Sequence, residues 1–456
     1  MILKSVNPYN GENINSYPQT SAEEVERIIH KSATGFESWK KTPASRRAEK
    51  LKSVADVLRK HKTEFALIIS KEMGKLIKEA DAEIEKSAMV CDYYAKHGEA
   101  FLQDKNLSTE YDISRVVYCP LGPVLAIMPW NFPFWQVFRF AAPNLMAGNT
   151  AILKHAGNVS GCSLAIASVF KEAGFPDGCF ASVLLPGKET TPLIEDSRVK
   201  GVTLTGSTQA GKKVAEIAGR NLKKTVLELG GSDPYLILDD ADVVLAAEKC
   251  AAGRLLNAGQ SCIGAKRFIV MEHVYDGFLD AFKQKLEAVH LGDPLNPVTS
   301  LAPLANKTFR DELHRQVIHS VDGGATCVCG GYIPNMQGAF YPPTILTDVQ
   351  PGIPAYEEEL FGPVATVFKV NSEAEAIRIA NDTVFGLGAA VFSHNRVRAE
   401  HIAEKELHSG AVFINDFVKS DPRMPFGGVK ESGYGRELAV EGLREFMNIK
   451  TVAGHY

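Results

Sequence analysis

One cysteine of the eight in this chain has unusual surroundings. Cys262 lies in Gly259-Gln260-Ser261-Cys262-Ile263-Gly264, a glycine-bounded segment whose small and polar neighbours leave a sulfur accessible. Cys327 and Cys329 alternate in a strand pattern, while Cys162, Cys179 and Cys250 sit among apolar residues, the ordinary setting of an inert core thiol. An unperturbed thiol with a pKa of ~8.5 is only slightly ionised at pH 7, so attack by Cys262 requires a base or a local positive potential.

Thr225-Val226-Leu227-Glu228-Leu229-Gly230-Gly231 contains a carboxylate suited to that role. A charge inside a buried strand is costly unless it is paired or neutralised, and burial raises its pKa toward the range useful for proton transfer. Glu228 also falls at the C-terminal end of a strand, where open α/β sheets place their ligands. An ion pair with Lys223 or Lys224 is the alternative. A third group is Asn131, set between bulky aromatics in Pro129-Trp130-Asn131-Phe132-Pro133, just before a helix with Pro133 in its first turn. Its NH2 can donate to a developing oxyanion, an interaction worth ~3 kcal/mol, or it can stabilise the turn.

Leu204-Thr205-Gly206-Ser207-Thr208-Gln209-Ala210-Gly211-Lys212 follows a strand and opens a helix, a geometry that brings backbone N–H groups to a phosphate. A plain strand-to-helix turn explains it equally well, since neither of the two stronger phosphate fingerprints occurs in the chain.

These residues need elements to position them. The 456-residue length allows two or three domains. From Ser21 to Leu102 the apolar spacing is helical, and Ser21 with Glu24 forms a capping box. After Tyr111 short strand-like runs alternate with helical patterns, at 115–118, 124–128, 150–154, 181–185, 201–205 and 225–229. A second series follows at 234–238, 267–271, 325–329, 340–346, 364–370, 388–392 and 411–415. The fold class is therefore α/β with two mainly parallel sheets, divided near Gly230-Gly231. The stretch 108–118 and the tail after Phe446 read as an arm that pairs with another subunit, or else the tail frays.

The uncharged run from Val116 to Phe138 has the length of a membrane span, but Pro120, Pro123, Pro129 and Pro133 break it into pieces that lipid would not tolerate. Continuing to Leu153 adds one charge, Arg139. Fifty basic against fifty-four acidic residues give a net charge of −4, which recommends neither nucleic acid nor an anionic membrane as partner. The scattered cysteines lack metal-ligand spacing, and with no apolar leader they indicate a reducing, cytoplasmic setting without a structural metal.

PWNFP, GSTQAG, LELGG and GQSC, followed by Glu358-Glu359-Leu360-Phe361-Gly362-Pro363 and Pro425-Phe426-Gly427-Gly428-Val429-Lys430-Glu431-Ser432-Gly433, resemble the NAD(P)-dependent aldehyde dehydrogenases in kind and order. That resemblance implies a Rossmann-like cofactor domain (1–107 and 119–229), an α/β catalytic domain (230–417), and a small β oligomerisation arm (108–118 and 444–456), with 418–443 returning to the cofactor side. It implies a homodimer or homotetramer. It makes Cys262 the nucleophile, Glu228 the general base, and Asn131 with the Cys262 N–H the oxyanion hole. It assigns NAD or NADP to Trp130, Lys154, Gly206, Ser207, Gly211, Leu229, Glu359 and Phe361. The intact LELGG points to hydrolysis to a free acid rather than release as a thioester. Many NAD-preferring relatives carry a glutamate where this chain has Gly157, so the resemblance implies use of both cofactors.

Substrate choice turns on Arg139, which shares a helix side with Trp135 and Gln136 and would attract the far carboxylate of a dicarboxylic semialdehyde. The chain resembles the succinate-semialdehyde branch of the family at Arg139 and Ser420, and Phe426 joins them as a substrate contact. A second arginine common in that branch is replaced by Leu256, and Arg254 cannot be assumed to stand in for it. A structural ion pair is the other reading of Arg139. Succinic semialdehyde is the expected substrate, with glutaric semialdehyde, aliphatic aldehydes or amino aldehydes as alternatives. A thiol esterase and a non-catalytic protein of the same fold are the alternatives outside the class.

Overall fold

A computed structural model describes residues 2–456. Four helices, Ala22–Trp39, Ala44–Lys60, Lys62–Met73 and Ile77–Phe101, occupy the region with helical spacing. The first is capped as its sequence predicts, with Ser21 Oγ accepting the Glu24 N–H at 3.2 Å. Ahead of them a hairpin pairs Ile2–Val6 with Asn13–Pro18. The sequence reading did not include it, because Asn13, Asn15 and Ser16 dilute any strand signal.

Five of the six runs in the first series join Gly433–Tyr434 in a six-stranded sheet ordered Gly433–Tyr434, Lys224–Glu228, Gly201–Thr205, Pro123–Met128, Thr150–His155, Phe180–Val183, while the run at 115–118 belongs to a separate sheet. All pairs are parallel except the first, in which Gly433 returns beside Glu228. The second series forms a seven-stranded sheet ordered Thr326–Cys329, Thr344–Thr347, Val364–Val370, Ala265–Met271, Asp233–Ile237, Gly388–Phe392, Ala411–Ile414. One expected strand is shortened: 340–346 becomes Thr344–Thr347, because Pro342 and Pro343 supply no N–H to a ladder.

The long uncharged run resolves into short elements. It passes through the strands Ile113–Pro120 and Pro123–Met128, crosses the PWNFP loop and enters the fully buried helix Trp135–Ala147. No helix among the described residues is long and apolar enough to cross a membrane. The chain's last strand, Met447–Gly454, pairs antiparallel with Ile113–Pro120, and Lys105–Asn106 completes a three-stranded sheet.

The two large sheets meet at Gly230-Gly231, between the strands ending at Glu228 and beginning at Asp233. Both glycines are demanded by proximity. A Cβ on Gly231 would lie 2.5 Å from the Cys262 carbonyl oxygen, and one on Gly230 would lie 2.6 Å from Glu359 Oε2. The double glycine thus lets the Glu228 strand, the Cys262 loop and the Glu359 segment converge.

Candidate active site

The Cys262 loop begins with an unfavourable backbone. Asn257, Ala258 and Gly259 have φ of 55°, 53° and 75°, three consecutive left-handed residues just after the Val243–Leu255 helix. For the two residues with side chains this conformation costs of order 1 kcal/mol or more each, and it persists because the side chains around it are locked. Asn257 Nδ2 donates to the Asn131 carbonyl at 2.8 Å and to the Gln260 carbonyl at 3.1 Å, and Gln260 Oε1 accepts the Ala305 N–H at 2.9 Å. Gly259 admits no side chain, since a Cβ would stand 2.2 Å from the Gly362 carbonyl oxygen.

The PWNFP loop is held as firmly. Buried Lys75 donates to the Asn131 carbonyl at 2.9 Å, lies 3.8 Å from the Phe132 ring centroid and pairs with buried Glu83. Glu83 Oε1 accepts the N–H groups of Phe134 and Trp135 at 2.8 and 3.1 Å, satisfying orphan donors at the start of the next helix. His155 Nε2 donates to the Pro133 carbonyl at 2.9 Å, and burial depresses the imidazole to about 4, so the ring stays neutral. The Asn131 amide is oriented at both ends. Its Oδ1 accepts from Gln136 Nε2 at 3.0 Å, and one Nδ2 proton goes to the Gln260 carbonyl at 3.0 Å. The second Nδ2 proton remains for a ligand.

Two cavities meet at Cys262. A cleft of about 570 Å3 is lined by Trp130, Asn131, Gly206, Ser207, Leu229, Glu359 and Phe361, together with Cys262. A second cavity, of about 330 Å3, reaches Cys262 from the other side past Trp135, Arg139, Ser420 and Phe426. Gln136 also borders both.

The cleft has the features a dinucleotide requires. Ser207 caps the 13-residue helix Thr208–Arg220 by accepting the Ala210 N–H, so Gly206 and Ser207 bring a helix N-terminus with free first-turn N–H groups to one wall. Across from it, Glu359 accepts the Gly231 N–H at 3.1 Å and pairs with buried Lys266 at 3.2 Å. Lys154, at the end of its strand, and Gly211 are not on the cleft wall. Gly211 instead packs on Leu229, whose methyl carbons would be 2.5 Å from any Cβ, and this holds the helix tight against the strand end. A Cβ on Gly157 would stand 3.2 Å from Leu3, so a larger residue fits there only if Leu3 gives way.

The electrostatics explain why the thiol needs activation. Burial pushes the Cys262 thiol up to about 12, with Arg139 and Lys266 pulling down and Glu359 and Glu228 pushing up. Glu228 is 1% exposed and neither carboxylate oxygen has a hydrogen-bond partner. Burial holds its pKa well above the usual carboxylate range, against the pull of Arg139. Neither lysine considered as its partner is used, because Lys223 donates to the Asp196 carbonyl and Lys224 pairs with Glu445. Gly427 of the PFGG turn passes so close that a Cβ would meet Glu228 Oε1 at 2.7 Å, which leaves the carboxylate room to turn.

Arg139 borders the second cavity and also has an internal partner, Glu437, with Nη2 donating to Thr205 Oγ1 at 3.2 Å and the guanidinium 4.6 Å from the Phe426 ring. Both readings of the residue thus have a physical basis. Arg254 is turned into the interior, where Nη2 donates to the Gly259 carbonyl at 2.5 Å, and Leu256 takes the cavity wall. No local spacing in the sequence announces Lys75, Glu83, Asn257, Lys266 or Glu437, because their partners Asn131, Phe134, Glu359 and Arg139 are distant in the chain. Gln136 stood out only as a neighbour of Arg139 on its helix, and its hold on Asn131 Oδ1 emerges from the folded loop.

Residues 2–452 match the aldehyde dehydrogenase family. The chain belongs to that family. It is 45% identical over 452 residues to a probable succinate-semialdehyde dehydrogenase (NADP+) of Synechocystis sp., covering 99% of both chains. It is also 45% identical to the Escherichia coli succinate semialdehyde dehydrogenase (NAD(P)+) Sad, covering 98% of this chain and 97% of that one. The succinic semialdehyde dehydrogenase of Streptococcus pyogenes, solved in complex with NADP+, superposes with a TM-score of 0.97 at 37% identity and full coverage of both chains. The α/β architecture described above is therefore the aldehyde dehydrogenase fold.

Proposed function

We propose that this aldehyde dehydrogenase oxidises succinic semialdehyde to succinate with NAD or NADP. The observation that carries the reading is the position of Cys262 between two cavities, one shaped for a dinucleotide and the other bordered by Arg139 and Ser420. The relatives named for succinic semialdehyde and for NADP+ support it.

In this reading Glu228 takes the Cys262 thiol proton and passes it on to solvent, and the sulfur bonds to the aldehyde carbon as the carbonyl pair moves onto its oxygen to form an oxyanion. The remaining Asn131 Nδ2 proton and the Cys262 N–H take that charge. They act in a site already shaped for it, where donors need not reorganise. The nicotinamide, when bound between Trp130, Glu359 and Phe361, supplies the acceptor for the hydride that leaves the same carbon. Glu228 then takes a proton from water, which attacks the resulting thioester and frees succinate and the thiol. A carboxyl group kept at raised pKa by burial suits that exchange, provided it enters the step ionised.

The six-stranded sheet is assigned to the cofactor and the seven-stranded one to catalysis. The Met447–Gly454 strand, mostly exposed, offers its free edge to a second subunit, so the enzyme assembles as a homodimer or homotetramer. Eight free cysteines fit a reducing cytoplasm.

Absorbance at 340 nm tests the reading. Succinic semialdehyde with NAD or NADP yields reduced cofactor, and Cys262→Ala abolishes it. Thioester or ester cleavage without reduced cofactor would instead identify an esterase.

A further inference from the structure

One cation of the substrate-side cavity has no place in the scheme above. Lys86 projects from the Ile77–Phe101 helix into the cavity shared with Arg139, Ser420 and Cys262. Its Nζ donates to Ser420 Oγ at 2.9 Å and lies 4.2 Å from the centroid of the Trp135 ring. Neighbouring cations have internal counter-ions: Lys75 has Glu83, Arg139 has Glu437 and Lys419 has Asp416. Lys78, also on the wall, is exposed. Lys86 is half-buried, and among the described residues no carboxylate lies within ion-pair distance of it.

The serine beside it is set to donate. A hydroxyl has one proton and two acceptor lone pairs. Ser420 Oγ already accepts from Lys86 Nζ and from Trp135 Nε1 at 3.1 Å, which leaves its own O–H for an acceptor in the cavity. An ammonium with two unused N–H bonds and a hydroxyl restricted to donating suit an anion with two oxygens. The cavity also lacks a second arginine, since Leu256 is apolar and Arg254 is buried elsewhere. Arg139 is already partly neutralised by Glu437.

We propose that Lys86, acting with Ser420 and Arg139, binds the distal carboxylate of the aldehyde substrate and supplies the positive charge that Leu256 cannot. The assignment rests on the semialdehyde reading of the substrate. The charged and titratable groups facing Lys86 are Lys78, Glu79 and Glu83 on its own helix, Lys75 just before it, Arg139 on the Trp135–Ala147 helix, Cys262, and Lys419 and Asp421 beside Ser420. Burial and the Arg139 charge bring the Lys86 ammonium down to about 8, with Glu83 and Asp421 opposing.

The test compares kcat/KM for succinic semialdehyde and for butanal, with saturating cofactor, in the wild type, Lys86→Gln and Lys86→Arg. Lys86→Gln lowers the succinic semialdehyde to butanal ratio ~10-fold or more, mainly through the KM for succinic semialdehyde, and Lys86→Arg recovers most of it. A wild-type preference that survives intact in Lys86→Gln overturns the assignment alone. No preference in the wild type removes the substrate reading and the assignment with it. If Lys86→Gln is inactive on both aldehydes, Lys86→Arg decides: a ratio kept with arginine supports the charge, and a lost ratio refutes it.

Discussion

Glu437 pairs with Arg139 inside the protein, with the two side chains 5% and 3% exposed, although one lies in the long apolar stretch and the other near the end of the chain. The pair ties the wall of the substrate-side cavity to the segment that returns beside the Glu228 strand. Breaking a buried pair from one side leaves an uncompensated charge and costs ~3–5 kcal/mol. Arg139→Met and Glu437→Gln each lower the denaturation midpoint, and the double variant regains part of the loss. A double-mutant cycle with no coupling would contradict the pairing.

Arg139 also borders the second cavity. Arg139→Ala raises KM for succinic semialdehyde more than for butanal, beyond its effect on stability. Steady-state kinetics on folded protein checks this, and equal effects on both aldehydes would restrict Arg139 to a structural role.

Above pH 8 the Lys86 ammonium, held down to about 8 by burial and Arg139, loses its proton. The cavity is therefore most positive below that pH, and KM for succinic semialdehyde rises as pH increases through about 8. The Lys86-dependent part of that rise is missing in Lys86→Gln. Measuring both aldehydes across the range separates it from changes in the chemical step, which they share.

Asn131→Ala lowers kcat ~100-fold or more, because one donor to the oxyanion is lost. Gln136 acts on the oxyanion through that amide, holding Oδ1 at 3.0 Å, so Gln136→Ala has a smaller effect on kcat than Asn131→Ala. Single-turnover measurement of reduced cofactor reports the step directly.

Many NAD-preferring relatives carry a glutamate where this chain has Gly157, and the reading that both cofactors are used predicts kcat/KM for NAD and NADP within ~1000-fold of each other, about 4 kcal/mol. Gly157→Glu shifts the ratio toward NAD, with some loss of stability because Leu3 stands 3.2 Å from the new Cβ.

Cys262, Glu228 and Asn131 stood out because each stands in a short segment whose neighbours are unusual for its type, and the fold brings Cys262 and Asn131 to one cleft. The strands Val364–Val370 and Gly388–Phe392 were legible to the residue, since short β-branched and apolar runs bounded by Pro363, Asn371, Gly386 and Ser393 leave little choice. The supporting residues were not. Glu83 caps a helix about fifty positions away, Lys75 braces the Asn131 loop, and Glu437 answers Arg139 across most of the chain. Such partners are chosen by the folded geometry, and a lysine such as Lys86 on a charged helix looks in sequence like any solvated residue.

The most direct test follows reduced cofactor at 340 nm while the wild type and Cys262→Ala are supplied with succinic semialdehyde or butanal and NAD or NADP. The expected result is one reduced cofactor per succinate formed, a kcat/KM for succinic semialdehyde at least ~10-fold above that for butanal, and no turnover by Cys262→Ala. Turnover that persists in Cys262→Ala, or a wild type that forms no reduced cofactor from succinic semialdehyde, would contradict it.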